Sequence, residues 1–302
     1  LDLNDTEKLG DAIAEARRSG ITLLPPDINR SRATFDLEGD LGRGGIRHGL
    51  AALKGLGMSL ATEIVAERER GGAYTSMRDF VTRNRSHINK RAIESLVHAG
   101  ALDAFCRNRR VMLDHIQPLI HETGRELQRR EAGQGSLFGL MEIANADRDD
   151  FPFEPDQPDL GHHERLVEEF KVLGIFLDGH PARLVHGQNR RRERGSTIEE
   201  ISDMSRPVRG DHSVPVFVIS QQLRKTRHGK PMMILKVSDH TGVQEILVLD
   251  DALDSLRSHA KKVEGCVLRL TISVVSKSET DRTFILRDFE DLTPHLEHFA
   301  AA

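Results

Sequence analysis

The chain has 302 residues, of which 38% are hydrophobic and 30% are charged, with a formal net charge of -4 at pH 7. This balance predicts a soluble protein of about two domains. No apolar run approaches the ~20 residues that cross a bilayer, and no secretory leader is evident. Cys106 and Cys266 are too few and too far apart for a disulfide framework or a metal site. We therefore expect a cytoplasmic, nucleoid-associated protein rather than a membrane or secreted one.

The first 130 residues are predicted to be mostly helical. Asp5 or Thr6 can cap a first helix, which ends at Gly20 and is followed by an apolar run at 21–24. Because the chain opens with Leu1 inside a helical pattern, we expect it to be part of a longer protein. Further helices are predicted at 49–54, 59–70, 76–82, 89–98 and 108–130.

The second half combines a linker with short β-runs. Residues 132–161 are rich in Gly, Asp and Pro, as in linkers, and 162–176 are helical in pattern. Five strands with a helix between the third and fourth favour an OB-fold barrel. The strands are predicted at 214–219, 232–237, 243–249, 266–275 and 283–289, and the helix at 251–260.

The segment 50–64 contains two short helices joined by a Gly-hydrophobic-Gly turn. The glycines relieve the backbone and leave the N–H groups of the second helix open to a phosphate. This pattern resembles a helix-hairpin-helix, which holds duplex DNA by its backbone; the alternative is a plain αα-hairpin. The residues expected to pack the helices are Leu53, Leu56, Ala61 and Ile64. The residues expected to meet DNA are Lys54, Gly55, Leu56, Gly57 and Met58.

A second, weaker copy of this motif follows. Helical residues 89–98 and those from Asp103 onward are joined by Ala99-Gly100-Ala101-Leu102. A pair with only a packing role is the equally open alternative. A basic cluster beside it could meet the same phosphates, and Arg85, Lys90 and Arg91 are our candidate DNA contacts within it.

The linker contains the apolar pair Leu137 and Phe138 in polar surroundings. Such a pair can dock into a pocket of a partner protein. The pattern Gln-x-x-Leu-Phe looks like the bacterial sliding-clamp-binding peptide, with Gln134, Ser136, Leu137 and Phe138 as its contact residues. The alternative is a local staple onto the protein's own surface.

The predicted barrel has a basic turn between its first two strands. Arg224, Lys225, Arg227 and Lys230 are candidates for single-strand binding. Only Phe217, Phe284 and Phe289 could supply aromatic stacking, so we expect a weak, salt-sensitive interaction. A barrel that serves only as a packing module is the alternative.

No catalytic or metal site is predicted in this chain. The acidic pairs Asp149-Asp150 and Asp250-Asp251 have the pattern of solvated turns, and His162-His163-Glu164 lacks a metal-binding spacing. No phosphate-binding loop, nucleophile elbow or catalytic triad is recognisable. We expect no cofactor.

Several segments together resemble the bacterial DNA polymerase III alpha subunit, the replicative C-family polymerase, in its C-terminal portion. They are Leu24-Pro25-Pro26-Asp27-Ile28-Asn29-Arg30-Ser31, Gly45-Ile46-Arg47-His48-Gly49-Leu50, Lys54-Gly55-Leu56-Gly57, Ala99-Gly100-Ala101-Leu102-Asp103, Gly133-Gln134-Gly135-Ser136-Leu137-Phe138-Gly139, Leu173-Gly174-Ile175-Phe176-Leu177-Asp178-Gly179-His180-Pro181 and Asp239-His240-Thr241-Gly242. Gly135 departs from the pattern, because a larger residue is common there.

The resemblance implies an α+β multidomain chain with four parts. These are the end of a fingers domain (1–36), a tandem helix-hairpin-helix domain (37–130), a clamp-binding linker with a helical segment (131–212) and an OB-fold (213–295). It implies duplex DNA, single-stranded template, the sliding clamp (beta subunit) and other replisome subunits as partners, and no membrane. The parent polymerase is expected to use Mg²⁺ in a palm domain that this chain lacks, so the chain itself is predicted inactive. A freestanding DNA-binding protein of repair or recombination is the alternative, and a hairpin-containing nuclease or glycosylase is a third class.

Overall fold

A computed structural model describes residues 16, 19–39, 44–131, 157–177, 179–186, 196–203, 210–278 and 281–296. The chain divides into two compact units, Leu1–Leu177 and Asp178–Ala302.

The first unit is a helical bundle with a small sheet. Its described helices are α1 (Gly57–Gly71), α2 (Met77–Arg83), α3 (Lys90–His98), α4 (Arg109–Glu131) and α5 (His162–Leu173). Its strands are β1 (Thr22–Leu24), β2 (Asp36–Glu38) and β3 (Gly45–Arg47), with β3 parallel to β1 and antiparallel to β2.

Local sequence explains where these helices start. Ser76 and Asn89 accept hydrogen bonds from the backbone N–H groups of Asp79 and Ala92, so each is the N-cap of its helix. The helices predicted at 59–70, 76–82, 89–98 and 108–130 are confirmed within two residues. The helix predicted at 49–54 is a single 3₁₀ turn, Leu50–Ala52. Most of the first predicted helix lies outside the described residues.

The Pro-Pro-Asp segment is built into the helical bundle. Ile28 is fully buried, and its N–H donates to the carbonyl of Ala101. The Asn29 side chain donates to the carbonyl of Tyr74 and accepts from its N–H, both at 2.8 Å. The Tyr74 hydroxyl donates to the carbonyl of Ile64. The described residues on both sides of position 36, where one predicted part ends, therefore belong to the same compact unit.

Helix α5 also belongs to the first unit. Val172 and Leu173 lie in the same hydrophobic core as Leu53, Leu96 and Met112. The segment predicted as 131–212 is therefore divided between the two units, since the division falls between residues 177 and 178.

The second unit is a closed five-stranded barrel, and its strand order confirms the predicted OB-fold. The described elements of the unit are α6 (Pro181–His186), α7 (Ile198–Ser202), β4 (Asp211–Lys225), β5 (Pro231–Ser238), β6 (Val243–Val248), α8 (Asp250–His259), β7 (Val267–Ser278) and β8 (Asp281–Asp291). The strand order is β4-β5-β6-β8-β7, and β7 pairs back with β4. Helix α8 lies between the third and fourth strands of the barrel.

A buried histidine attaches α6 to the barrel. His180 Nδ1 accepts the N–H of Ala182 at 3.1 Å, so the proton of the neutral ring is on Nε2, which donates to Ser238 Oγ at 2.9 Å. Burial lowers the pKa of His180 to about 3. The ring is therefore neutral at pH 7.

We predict that acid weakens the second unit through His180. Its folded pKa of about 3 lies below the ordinary value of 6.5, so the unfolded chain takes up the proton first. The stability that the neutral ring provides is complete above pH 6.5 and is lost as the pH falls toward 3. Urea unfolding followed by circular dichroism between pH 7 and pH 4 should show a flatter pH dependence for His180→Leu than for the native chain. Equal slopes in the two proteins would contradict the prediction, and His228→Leu, at an exposed histidine of the same unit, is the control.

Candidate nucleic-acid interface

The first hairpin turn, Lys54–Gly57, is open on one side and packed on the other. Gly55 and Gly57 have φ angles of +100° and +67°, which favour glycine. A Cβ added at Gly57 would meet no other described atom within 4 Å. Behind the turn, Leu53, Leu56, Ala61 and Ile64 are all buried, which confirms their predicted packing role. Leu56 is therefore an anchor for the turn, and the glycines form its open surface.

The open surface includes the N-terminus of α1. This 15-residue helix has no side-chain N-cap and no acidic residue in its first turn. The first four N–H groups of a helix lack partners within the helix, and the helix dipole places partial positive charge there. Met58 is 47% exposed beside these groups. The surface is therefore suited to an anion.

Two exposed cations flank the turn. Lys54 is part of it, and the Arg91 Nε lies 3.8 Å from the position of a Cβ on Gly55. Neither side chain has an ion-pair partner among the described residues. Lys90 is exposed on the same helix as Arg91, and its Nζ lies 3.5 Å from Glu94 Oε1. The structure thus places Lys54, Arg91 and the glycines of the turn together, with Lys90 next to Arg91.

Arg85 has a different environment from the other predicted contacts. Its guanidinium donates to the carbonyl of Ile120 and to Thr123 Oγ1 at 2.9 and 3.1 Å, so it binds α4. Its contacts are those of a structural residue. Sequence proximity to Lys90 and Arg91 did not distinguish it from them.

The turn of the second copy, residues 99–102, is occupied by the side chain of Arg109. Gly100 has a φ angle of +78°, and a Cβ there would overlap the guanidinium of Arg109. Arg109 is 3% exposed and donates to both oxygens of Asp103 and to the carbonyl of His98. Because a guanidinium occupies this turn, the structure favours the packing role for the second copy.

The barrel presents a basic hairpin arm, residues 222–231. All of these residues except Thr226 are exposed, and Thr226 and Lys230 close the turn by a backbone hydrogen bond of 2.8 Å. No acidic residue occurs between Asp211 and Asp239. Arg224, Lys225, Arg227 and Lys230 have no carboxylate partner among the described residues.

The aromatic side chains of the barrel are not available for stacking on this arm. Phe217 and Phe284 are 2% and 5% exposed, and Phe289 packs against the barrel core and His259. The nearest ring on the arm itself is the imidazole of His228. The arm can therefore supply charge to a ligand and little stacking.

Three further predictions concern the clamp-binding residues, metal sites and membrane spans. Gln134, Ser136, Leu137 and Phe138 lie in the part of the chain that the structure leaves undescribed. In the described part, no group of three or more His, Cys, Asp or Glu side chains could hold a metal ion. Within the same ranges, no helix has the length and apolar character of a membrane span.

The chain is similar in sequence to known proteins. A family model described as a helix-hairpin-helix motif matches residues 20–112. The DNA polymerase III subunit alpha of Thermus aquaticus is 36% identical over 279 residues, which are 91% of this chain and 21% of that protein. The same subunit of Caulobacter vibrioides is 33% identical over 258 residues, 85% of this chain and 22% of that protein. The chain thus spans about a fifth of the length of these relatives.

Among solved structures, a mitochondrial single-stranded DNA binding protein of S. cerevisiae, Rim1, matches 29% of this chain and 98% of its own. The identity is 7% and the TM-score 0.24, so the OB-fold assignment depends on the strand order described above.

We predict that the two turns respond differently to an added methyl group. Gly57→Ala should cost about 1 to 2 kcal/mol, the strain of a left-handed alanine. Gly100→Ala should cost about 3 kcal/mol or more, because it also displaces the buried, paired Arg109. Urea unfolding of both variants measures the difference. Equal destabilisation would show that Arg109 can leave the second turn at little cost.

Proposed function

The chain belongs to the family of bacterial DNA polymerase III alpha subunits, and on that premise we propose that it grips the duplex during DNA-templated DNA synthesis. The observation that carries the proposal is the open glycine turn at the uncapped start of α1, flanked by Lys54 and Arg91. The 36% identity along 91% of the chain favours a polymerase segment over a freestanding repair protein.

The geometry of the turn suits a phosphate rather than a base. Backbone N–H groups and the glycines allow close approach, while cations at both sides neutralise charge. Such contacts position a duplex without reading its sequence. A polymerase that advances along any template needs a contact of this kind.

Polymerisation itself is assigned to the rest of the parent protein. We propose that the carboxylates that bind Mg²⁺ belong to parts outside this chain, which therefore does not extend a primer alone. In the parent, Mg²⁺ would neutralise the developing charge of phosphoryl transfer.

We predict that Gly57→Asp weakens duplex binding by about tenfold or more, because a carboxylate would face the phosphate at the helix N-terminus. Gly57→Asn is the matched control, since it has the same shape, tolerates a positive φ and adds no charge. Fluorescence anisotropy with a short labelled duplex gives both affinities.

Equal affinities for Gly57→Asp and the native chain would remove the hairpin from the DNA contact. Equal losses in the Asp and Asn variants would attribute the effect to backbone strain instead of charge.

We also propose that Gln134, Ser136, Leu137 and Phe138 dock on the sliding clamp. Helix α4 ends at Glu131, seven residues before Phe138 in the sequence. A short tether of this kind keeps the local concentration of the duplex-binding unit high on clamped DNA.

Replacing Leu137 and Phe138 by Ala should abolish clamp binding and leave duplex binding unchanged, because the anchors and the hairpin are separate contacts. Surface plasmon resonance on immobilised bacterial clamp measures the first, and anisotropy the second. The adjacent pair Leu140 and Met141, replaced by Ala, is the control. Retained clamp binding in the Leu137/Phe138 variant would place the clamp contact elsewhere.

The basic arm of the barrel is proposed to contact single-stranded template. Replacing Arg224, Lys225, Arg227 and Lys230 by Ala should weaken binding of a single-stranded oligonucleotide and flatten its salt dependence, since about one counterion is released per phosphate contact. The exposed Arg257 and Arg287, replaced by Ala, are controls on other elements. An unchanged salt slope in the arm variant would favour the barrel as a packing module.

A further inference from the structure

The first hairpin turn is held in place from outside the hairpin. The Lys54 N–H donates to the carbonyl of Val172 at 3.0 Å. The Lys54 carbonyl accepts from Ser95 Oγ at 2.8 Å. The two glycines of the turn carry no side chains that could restrain it. The backbone conformation of the turn therefore depends on α3 and α5.

The carbonyl of Val172 is available because α5 ends there. The last four carbonyls of a helix have no partner within the helix. Helix α5 closes at Gly174, which has a φ angle of +75° and donates to the carbonyl of Phe170. The Val172 carbonyl at the end of α5 and the Lys54 N–H at the start of the turn thus satisfy each other by one hydrogen bond.

Helix α5 is in turn firmly attached to the bundle. Leu173 is 1% exposed in the hydrophobic core. Glu169 is 2% exposed, accepts the N–H of Leu177 at 3.1 Å and lies 3.8 Å from Arg109. In the first turn of α5, Glu164 Oε2 lies 3.0 Å from Arg110 Nη2 of α4. These contacts fix where Val172 presents its carbonyl.

We propose that α5 is a positioning element of the duplex interface, with Val172 as the residue that sets the turn. The inference rests on the duplex-binding role proposed above and deepens it. The helix-hairpin-helix model ends at residue 112, well before α5 begins at His162. The duplex-binding unit accordingly extends to residue 177.

The test compares variants of the full chain. Leu173→Ala loosens α5 in the core, and Glu169→Gln is a milder change in case the first variant fails to fold. Thr123→Val is the matched control, because it removes a buried hydrogen bond to the carbonyl of Leu119 within α4 of the same unit and changes no hydrogen bond of the hairpin or of α5. Two quantities are measured: the Kd for a labelled duplex, and amide hydrogen exchange at residues 54–58.

We expect both α5 variants to speed exchange at residues 54–58 and to raise the Kd, by about fivefold for Leu173→Ala, as loss of one ordinary hydrogen bond would. Thr123→Val should change neither quantity, although it lowers the stability of the unit. If α5 only stabilised the unit, all three variants would show similar changes in the Kd and in exchange at residues 54–58.

Faster exchange in α5 without faster exchange at residues 54–58 would overturn the inference. The turn would then keep its backbone conformation without support from α5. The exchange measurement needs no DNA, so its outcome is separate from that of Gly57→Asp. If Gly57→Asp leaves the Kd unchanged, the duplex role fails, and exchange at the turn still decides whether α5 positions it.

Discussion

A turn that approaches a phosphate by its backbone cannot carry side chains to fix its own shape. In the proposed duplex-binding role that constraint applies to Lys54–Gly57, where the positive φ angles of Gly55 and Gly57 favour glycine. Leu53 and Leu56 anchor the turn from below, and Ser95 and Val172 hold its backbone from the sides. Helices α3 and α5 therefore hold the conformation that the glycine turn cannot fix by its own side chains.

The two glycine turns of the bundle show how one backbone motif takes two roles. At the first, the uncapped N–H groups of α1 lie beside Lys54 and Arg91, which are exposed and have no ion-pair partner in the described part of the chain. At the second, Arg109 fills the turn and is itself paired with Asp103. A buried guanidinium is stable only when its hydrogen bonds are satisfied, so Arg109 fixes the neighbouring chain. A turn that is filled by a paired guanidinium has no room for an external anion.

The sequence was informative where periodicity and turn chemistry act over short distances. The helices from α1 to α4, the five barrel strands and the buried hairpin residues all follow from such patterns. It was less informative for β2 and β3, because three residues are too few to show an alternation. The contact between Lys54 and Val172 joins residues far apart in the chain, and no local pattern records it. Arg85 and Arg91 look alike in sequence, and only their burial and contacts separate them.

The two basic surfaces differ in the origin of their charge, and that difference has physical consequences. At the hairpin, part of the positive potential comes from backbone dipoles, which are fixed in direction and lie close to the bound group. On the arm, it comes from flexible side chains in a stretch without acidic residues between Asp211 and Asp239. Exposed side-chain charges are screened strongly by salt, whereas short backbone hydrogen bonds are screened less. The net charge of -4 conceals both surfaces, because it averages them with acidic regions elsewhere. If both surfaces bind nucleic acid as proposed, the two interactions would therefore differ in their dependence on salt, one being fixed in geometry and the other adaptable.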